Sequence, residues 1–139
     1  KPGMYYGFPV LPVGQMGGPI GLKVAHHYPG TVTDPNNVNR ISSADDETNL
    51  IYALNKFLPE GYKSMHVLKT CLYTNTSDEN FVIDFLPGYD NVVIAAGFSG
   101  HGFKFASVIG EIMTDLAMNG NTRMPIEFLN INRFNDFKN

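Results

Sequence analysis

The hydrophobic and polar positions at the start of the chain predict two short strands. Residues 4–10 (MYYGFPV) are aromatic and β-prone, and residues 20–25 (IGLKVA) form a second short run of the same kind. The glycine- and proline-rich loop at 11–19 separates them, which is typical of a hairpin. This loop is longer than the two to five residues that most hairpins use. Residues 28–43 then predict a loop, because they are rich in Pro, Gly and Asn.

Two later stretches have the spacing of amphipathic helices. The first covers residues 44–58 and follows Ser43, a residue suited to cap a helix, with three acidic residues in its first turn where the helix dipole favours negative charge. The second covers residues 102–118. Apolar residues form one stripe on each helix: Leu50, Ile51, Leu54, Phe57 and Leu58 on the first, and Phe105, Val108, Ile109, Ile112 and Leu116 on the second.

Three further strands are predicted between the helices, at 64–74, 81–86 and 92–97. The last is almost wholly apolar, as expected of a strand covered on both faces. The resulting order is β-β-α-β-β-β-α. This order predicts an α+β fold with a βα unit at its C-terminal end.

Composition narrows the function classes. The chain has 139 residues, 43% of them hydrophobic and 17% charged, which is enough to bury a core and excludes a disordered chain. A net charge of -3 argues against nucleic-acid binding, and no apolar run reaches the roughly 20 residues that span a bilayer. A single cysteine excludes an internal disulfide and favours a reducing compartment, so we expect a cytoplasmic protein. The chain starts Lys1-Pro2-Gly3 without Met or signal peptide, which favours a fragment of something longer.

The strongest local signal for chemistry is VVIAAGFSGHGFKF, residues 92–105. A strand that runs through a glycine-rich turn into a helix start offers free N–H groups to an anionic or hydrogen-bond-accepting ligand. Gly100 and Gly102 would let the backbone approach a flat ring closely. Lys104 falls in the first helical turn, where a cation opposes the dipole. The alternative is that the glycines only make a tight turn and that Lys104 is solvated.

Other candidates each have a structural alternative. Cys71 is expected mid-strand, either as a small buried hydrophobe or as a nucleophile or cofactor attachment point. Lys23 is either solvated or, if buried, available for chemistry. Tyr5, Tyr6 and Tyr73 are usual sheet residues that could also hold a cationic amine. The spacing of His26, His27 and Asp34 matches no familiar ligand set, so no metal site is predicted.

Several segments together resemble one enzyme family. KTCLYTNTSDENFVIDFLPGYDNVVIAAGFSGHGFKFASVIGE, residues 69–111, resembles the C-terminal part of the family of monomeric sarcosine oxidase, N-methyltryptophan oxidase and pipecolate oxidase. YYGFP at 5–9 and GLKVAHH at 21–27 resemble earlier motifs of these enzymes. The match is poorer between residues 10 and 20, which carry a few extra residues.

The resemblance implies part of an FAD-dependent oxidase of N-methyl or cyclic amino acids such as sarcosine. Such enzymes oxidise the C–N bond with O₂ and yield an imine and hydrogen peroxide. The implied fold is of the D-amino acid oxidase-like type. Residues 1–70 would belong to the mixed or antiparallel sheet of the substrate domain, and residues 71–139 would be a return segment of the FAD domain. No GxGxxG follows a strand, so the Rossmann part is absent from this chain, which we expect to be inactive without that missing N-terminal part.

The resemblance also assigns residue roles. Cys71 matches the cysteine that binds FAD covalently, and Phe98, Ser99, Gly100 and His101 match the turn that contacts the flavin ring. Lys23 matches the lysine that promotes the reaction with O₂. His27 matches the substrate-site histidine, with His26 as its adjacent competitor.

Three further residues match the substrate site. Lys104 matches the lysine that pairs with the substrate carboxylate, and Tyr6 and Tyr73 match aromatic residues around the secondary amine of a small amino acid. Two alternatives stay open. One is a free-standing binding domain that reuses the fold without flavin. The other is an oxidase with non-covalent FAD, against which Cys71 argues.

Overall fold

The computed structural model describes residues 3–12, 18–28 and 30–134. The chain forms two compact units, Lys1–Cys71 and Leu72–Asn139. The division falls one residue after the expected boundary at 70, and the assignment of the two parts to substrate and FAD domains stays a prediction. Residues 13–17 of the predicted hairpin loop lie outside the described residues.

The first unit contains the predicted hairpin. Strand β1 (Met4–Phe8) pairs antiparallel with β2 (Lys23–Tyr28), with Tyr6 opposite Ala25 and Phe8 opposite Lys23. The hairpin is therefore confirmed, although β2 begins three residues later than the apolar run indicates. It reaches past His26 and His27, so both histidines are strand residues.

Helix α1 (Ala44–Phe57) follows Ser43, as the pattern predicts. The Asp46 carboxylate accepts hydrogen bonds from the N–H and the hydroxyl of Ser43, at 2.8 and 2.9 Å. These two bonds favour the charged form, so they hold the pKa of Asp46 below its ordinary value. The helix buries Ala53 and Leu54 and packs against β2.

The second unit pairs β3 (Val82–Phe85) antiparallel with β4 (Val93–Ala96). A short 3-10 turn (Phe103–Phe105) leads into α2 (Ala106–Asn119), which ends at Gly120 with a φ of 72°. Two more 3-10 turns follow, Glu127–Leu129 and Ile131–Arg133. The described chain thus has two small antiparallel sheets and two helices, in line with the α+β expectation.

Two predictions about strands are wrong. Residues 64–74 form no strand, because no neighbouring strand pairs with them within the described chain. Cys71 therefore lies in an irregular, exposed segment instead of mid-strand, and its interpretation as a small buried hydrophobe fails. Strand β4 is also not covered on both faces in the described residues, because three of its side chains are half-buried and Ala96 is exposed.

The core of the second unit lies where β3 and α2 meet the segment after α2. Ile83 on β3 is its most deeply buried side chain, at 1% exposure. The same cluster holds Phe81, Ile112, Leu116 and Leu129. Burial of these apolar side chains stabilises the platform that carries the turn between β4 and α2.

Replacing Ile83 with valine should lower the free energy of unfolding by about 0.5–1.5 kcal/mol, because one buried methylene is lost and the cavity relaxes only partly. Urea unfolding of the chain measures this. The matched control is Ile41→Val, whose side chain is 82% exposed and should change stability by less than about 0.5 kcal/mol. Equal effects of the two variants would contradict the buried placement of Ile83.

Candidate functional site

One face of the β1–β2 hairpin brings together three residues that the sequence singled out. Alternate residues of a strand point to the same side of a sheet, so Tyr6, Lys23 and His27 share a face. The Lys23 Nζ atom lies 5.9 Å from the centroid of the Tyr6 ring. The Tyr6 and His27 rings lie 6.1 Å apart at 80°. This face therefore combines a cation, an imidazole and an aromatic ring.

The hairpin also separates the two adjacent histidines. His26 points to the opposite face, where its ring packs against Tyr5 with centroids 5.0 Å apart. Within the described part of the chain, the His26 Nε2 atom is buried and has no hydrogen-bond partner. The spacing argument left His26 and His27 as competitors, and the pairing places only His27 on the face of Lys23.

Sequence reasoning missed a fourth member of this face. The Phe8 ring centroid lies 5.3 Å from Lys23 Nζ, closer than that of Tyr6. Strand alternation in MYYGF was the available signal, since it predicts that residues 4, 6 and 8 point to one side. Phe8 and Tyr6 together give Lys23 two aromatic neighbours, but Lys23 itself is exposed, which is the solvated placement that the sequence left open.

A cavity of about 580 Å³ also lies in the first unit, but its chemistry differs. Residues of β1, β2 and α1 line it, and among these described residues none is charged. Tyr6 lines this cavity, whereas Lys23 and His27 do not. We therefore place the candidate chemistry of the first unit on the hairpin face.

A cavity of about 390 Å³ in the second unit gathers four of the predicted site residues: Tyr73, Phe98, Ser99 and Gly100. The rest of its lining is Leu72, Thr74, Ala96, Gly97 and Gly102. Two chain segments thus form the cavity, the one that follows Cys71 in sequence and the turn that follows β4. Three of the lining residues are glycines, so the backbone forms part of the cavity wall.

The backbone of this turn takes a conformation that few side chains tolerate. Gly97, Ser99 and Gly100 have φ values of 62°, 47° and 75°. A Cβ atom on Gly100 would lie 2.6 Å from atoms of the Tyr73 ring, so position 100 needs glycine for space as well as for conformation. Ser99 has no such freedom, and neighbouring groups must hold it there.

His101 and Lys104 are not among the residues that line this cavity. The His101 ring packs on Phe81 at 4.8 Å, and its Nδ1 lies 3.0 Å from the Ser99 carbonyl oxygen. Lys104 is exposed in the 3-10 turn before α2, with Nζ 5.3 Å from the Phe105 ring centroid. It therefore precedes the first turn of α2, contrary to its predicted position.

The residues present fit a flavin on two observations. The cavity of the second unit is lined by uncharged residues that include the side chains of Leu72, Tyr73 and Phe98, which suit a flat aromatic group. The Cys71 thiol is exposed and unpaired by any disulfide, so a covalent partner could reach its sulfur. No group of three or more potential metal-ligating side chains occurs among the described residues. None of the helices in this described part is long and apolar enough to cross a membrane.

Comparison with known proteins gives one family and several close relatives. The family model for FAD dependent oxidoreductases (DAO) matches residues 16–116. The chain is 46% identical over 133 residues to monomeric sarcosine oxidase of Bacillus sp. (strain NS-129), covering 94% of this chain and 33% of that protein. It is 38% identical over 128 residues to peroxisomal sarcosine oxidase of Homo sapiens, covering 89% and 32%.

A third relative is N-methyl-L-tryptophan oxidase of Escherichia coli (strain K12 / DH10B), at 36% identity over 132 residues, 94% of this chain and 33% of that protein. The chain thus spans about a third of the length of the curated relatives it matches. The resemblance to sarcosine and N-methyltryptophan oxidases is confirmed. Because the family model matches residues 16–116, most of the chain, this chain belongs to the DAO family of FAD-dependent oxidoreductases.

Proposed function

We propose that the chain is part of an FAD-dependent oxidase of small amino acids with a secondary amine, such as sarcosine. The reaction oxidises the C–N bond with O₂ and gives an imine and hydrogen peroxide. The observation that carries this proposal is the cavity of the second unit. Its lining includes four residues that the sequence assigns to cofactor or substrate: Tyr73, Phe98, Ser99 and Gly100. Relatives named as sarcosine and N-methyl-L-tryptophan oxidases support the substrate class.

FAD, when bound, accepts the hydride equivalent from the carbon next to nitrogen and passes electrons to O₂. The turn at 98–101 would hold its flat ring, since Phe98, Ser99 and Gly100 line the cavity. The exposed Cys71 sulfur would form the covalent thioether. His101 packs on Phe81 and does not line the cavity, so a contact of His101 with the flavin ring rests on the family match alone.

The hairpin face would serve the oxygen and substrate chemistry. The Lys23 ammonium would stabilise negative charge as it develops on oxygen, which is an electrostatic role open to a cation. His27 lies beside Tyr6 and would orient the substrate. The Tyr6 ring would bind the amine by cation–π contact, and the same role for Tyr73 rests on the family match alone. Lys104 would pair with the substrate carboxylate, a role that here rests on the family match alone.

The test compares the complete protein that contains this chain with the 139-residue chain alone. The complete protein should release peroxide with sarcosine, N-methyltryptophan or pipecolate and should give little with glycine, the matched primary amine. The chain alone should give none, because its sequence lacks the dinucleotide fingerprint. A complete protein that carries no flavin and makes no peroxide would favour the free-standing binding domain. Cytoplasmic placement is proposed with this function, on the single cysteine.

A further inference from the structure

Ser99 ties the cavity turn to the segment that begins with Leu72. Its side chain is buried at 8% exposure. The Ser99 Oγ accepts from the Thr76 N–H at 3.3 Å and donates to the Gly97 carbonyl at 3.0 Å. The Ser99 N–H donates to the Thr74 carbonyl at 3.1 Å. These bonds offset the cost of a positive φ at a residue other than glycine.

Thr76 is fixed in turn by its own side chain. Its hydroxyl lies 2.7 Å from the Asn80 carbonyl oxygen, to which it can donate, and 3.1 Å from Asp78 Oδ1. Its Cγ2 methyl occupies the space where a Cβ atom of Gly97 would lie. Thr76 therefore holds the cavity turn through its backbone N–H and packs against it through its methyl group.

Arg133 anchors the other end of this chain of contacts. Its Nε and Nη2 atoms donate to both oxygens of Asp78, at 2.7 and 3.1 Å, and Nη2 also donates to the Asn80 carbonyl at 2.9 Å. Its Nη1 donates to the Asn130 carbonyl at 2.9 Å. The Arg133 side chain is 15% exposed and the Asp78 side chain 38%, and their two hydrogen bonds form the bidentate fork that fixes the geometry of such a pair. Its contact with Asp78 holds the pKa of that carboxyl well below its usual range.

We propose that Arg133, Asp78 and Thr76 are positioning residues that fix Ser99 and thereby set the shape of the cavity turn. They act through Ser99 and line no part of the cavity themselves. The consequence for flavin rests on the proposed function, whereas the effect on the turn does not. None of these three residues was among the candidates that the sequence singled out.

The test replaces Thr76 with valine or with serine in the complete protein. Valine keeps the methyl group and replaces the hydroxyl with a second methyl group, whereas serine keeps the hydroxyl and removes the methyl group. Hydrogen exchange by mass spectrometry reports on the amides of residues 97–102. We expect about tenfold faster exchange in Thr76→Val, in line with the loss of one hydrogen bond, and a smaller increase in Thr76→Ser, which loses only the methyl contact with Gly97. The visible flavin spectrum should shift in the valine variant and shift less in the serine variant.

Arg133→Lys is the second variant, because it keeps the charge and loses the fork. It should also speed exchange at 97–102. The proposal would be overturned by unchanged exchange in Thr76→Val or by equal exchange in the two Thr76 variants. It would also be overturned if the effect of Arg133→Lys were confined to residues 76–80. Absence of flavin from the wild-type complete protein would overturn the proposed function alone, since the exchange comparison needs no flavin.

Discussion

Replacing Cys71 with serine should turn a flavin that survives acid denaturation into one that acid releases completely. Serine is close to cysteine in size but offers no sulfur for a thioether. Cys71 is the only cysteine in the 139 residues, and its thiol is exposed. The change should therefore act on the covalent bond and leave packing largely intact. Denaturation in acid, removal of small molecules and the yellow absorbance of the precipitate measure the outcome.

Peptide mass mapping supplies the control for Cys71. In the wild-type complete protein, the peptide that contains Cys71 should carry the mass of the flavin, and the serine variant should lack it. A flavin that stays covalently bound in Cys71→Ser would contradict the assignment. If the flavin washes away from the wild-type protein, the family membership still stands, but Cys71 is an exposed residue without a covalent role.

Replacing Lys23 with glutamine should slow the reaction of the reduced protein with O₂ by about 10²–10³-fold, the usual loss when one preorganised electrostatic group is removed. Reduction by the amine substrate should change much less, because the proposed role of Lys23 concerns oxygen. Stopped-flow mixing of the anaerobically reduced complete protein with O₂ measures the first rate. Anaerobic mixing with sarcosine measures the second.

Lys56 provides a matched control for Lys23. Its Nζ atom lies 5.7 and 5.2 Å from the ring centroids of Tyr52 and Phe57, almost the same aromatic surround as that of Lys23. Lys56→Gln removes an equivalent cation from α1 and should leave both rates unchanged. Equal slowing in the two variants, or no slowing in Lys23→Gln, would show that Lys23 has no special part in the oxygen reaction.

Sequence patterns over a few residues predicted the elements that depend on interactions between residues close in sequence. Helix α1 could be predicted from its apolar stripe and from Ser43, because capping and periodicity act within a few residues. The strand at 64–74 could not be judged in this way. A strand exists only with a neighbour, and β-prone residues there found no partner in the described chain. The exposure of Cys71 was missed for the same reason.

The candidate site also depends on contacts between residues that are distant in sequence. Family motifs selected Lys23, His27 and Tyr6, but only the register of β1 and β2 shows that they share a face and that His26 does not. Thr76 and Arg133 lie 57 residues apart in sequence, and each meets Asp78 through hydrogen bonds that no spacing rule foretells. Contacts of this kind follow from the tertiary structure, so sequence patterns alone do not predict them.

The glycine wall of the second cavity sets limits on protein engineering. A side chain at Gly97 would meet Thr76, and side chains at Gly100 and Gly102 would lie 2.6 Å from Tyr73 and Phe98. Neighbours already occupy these three positions, so mutagenesis there would disturb the backbone before it changed the volume of the cavity. Libraries that aim to resize this cavity should instead vary Leu72 and Ala96, which line the cavity and are exposed.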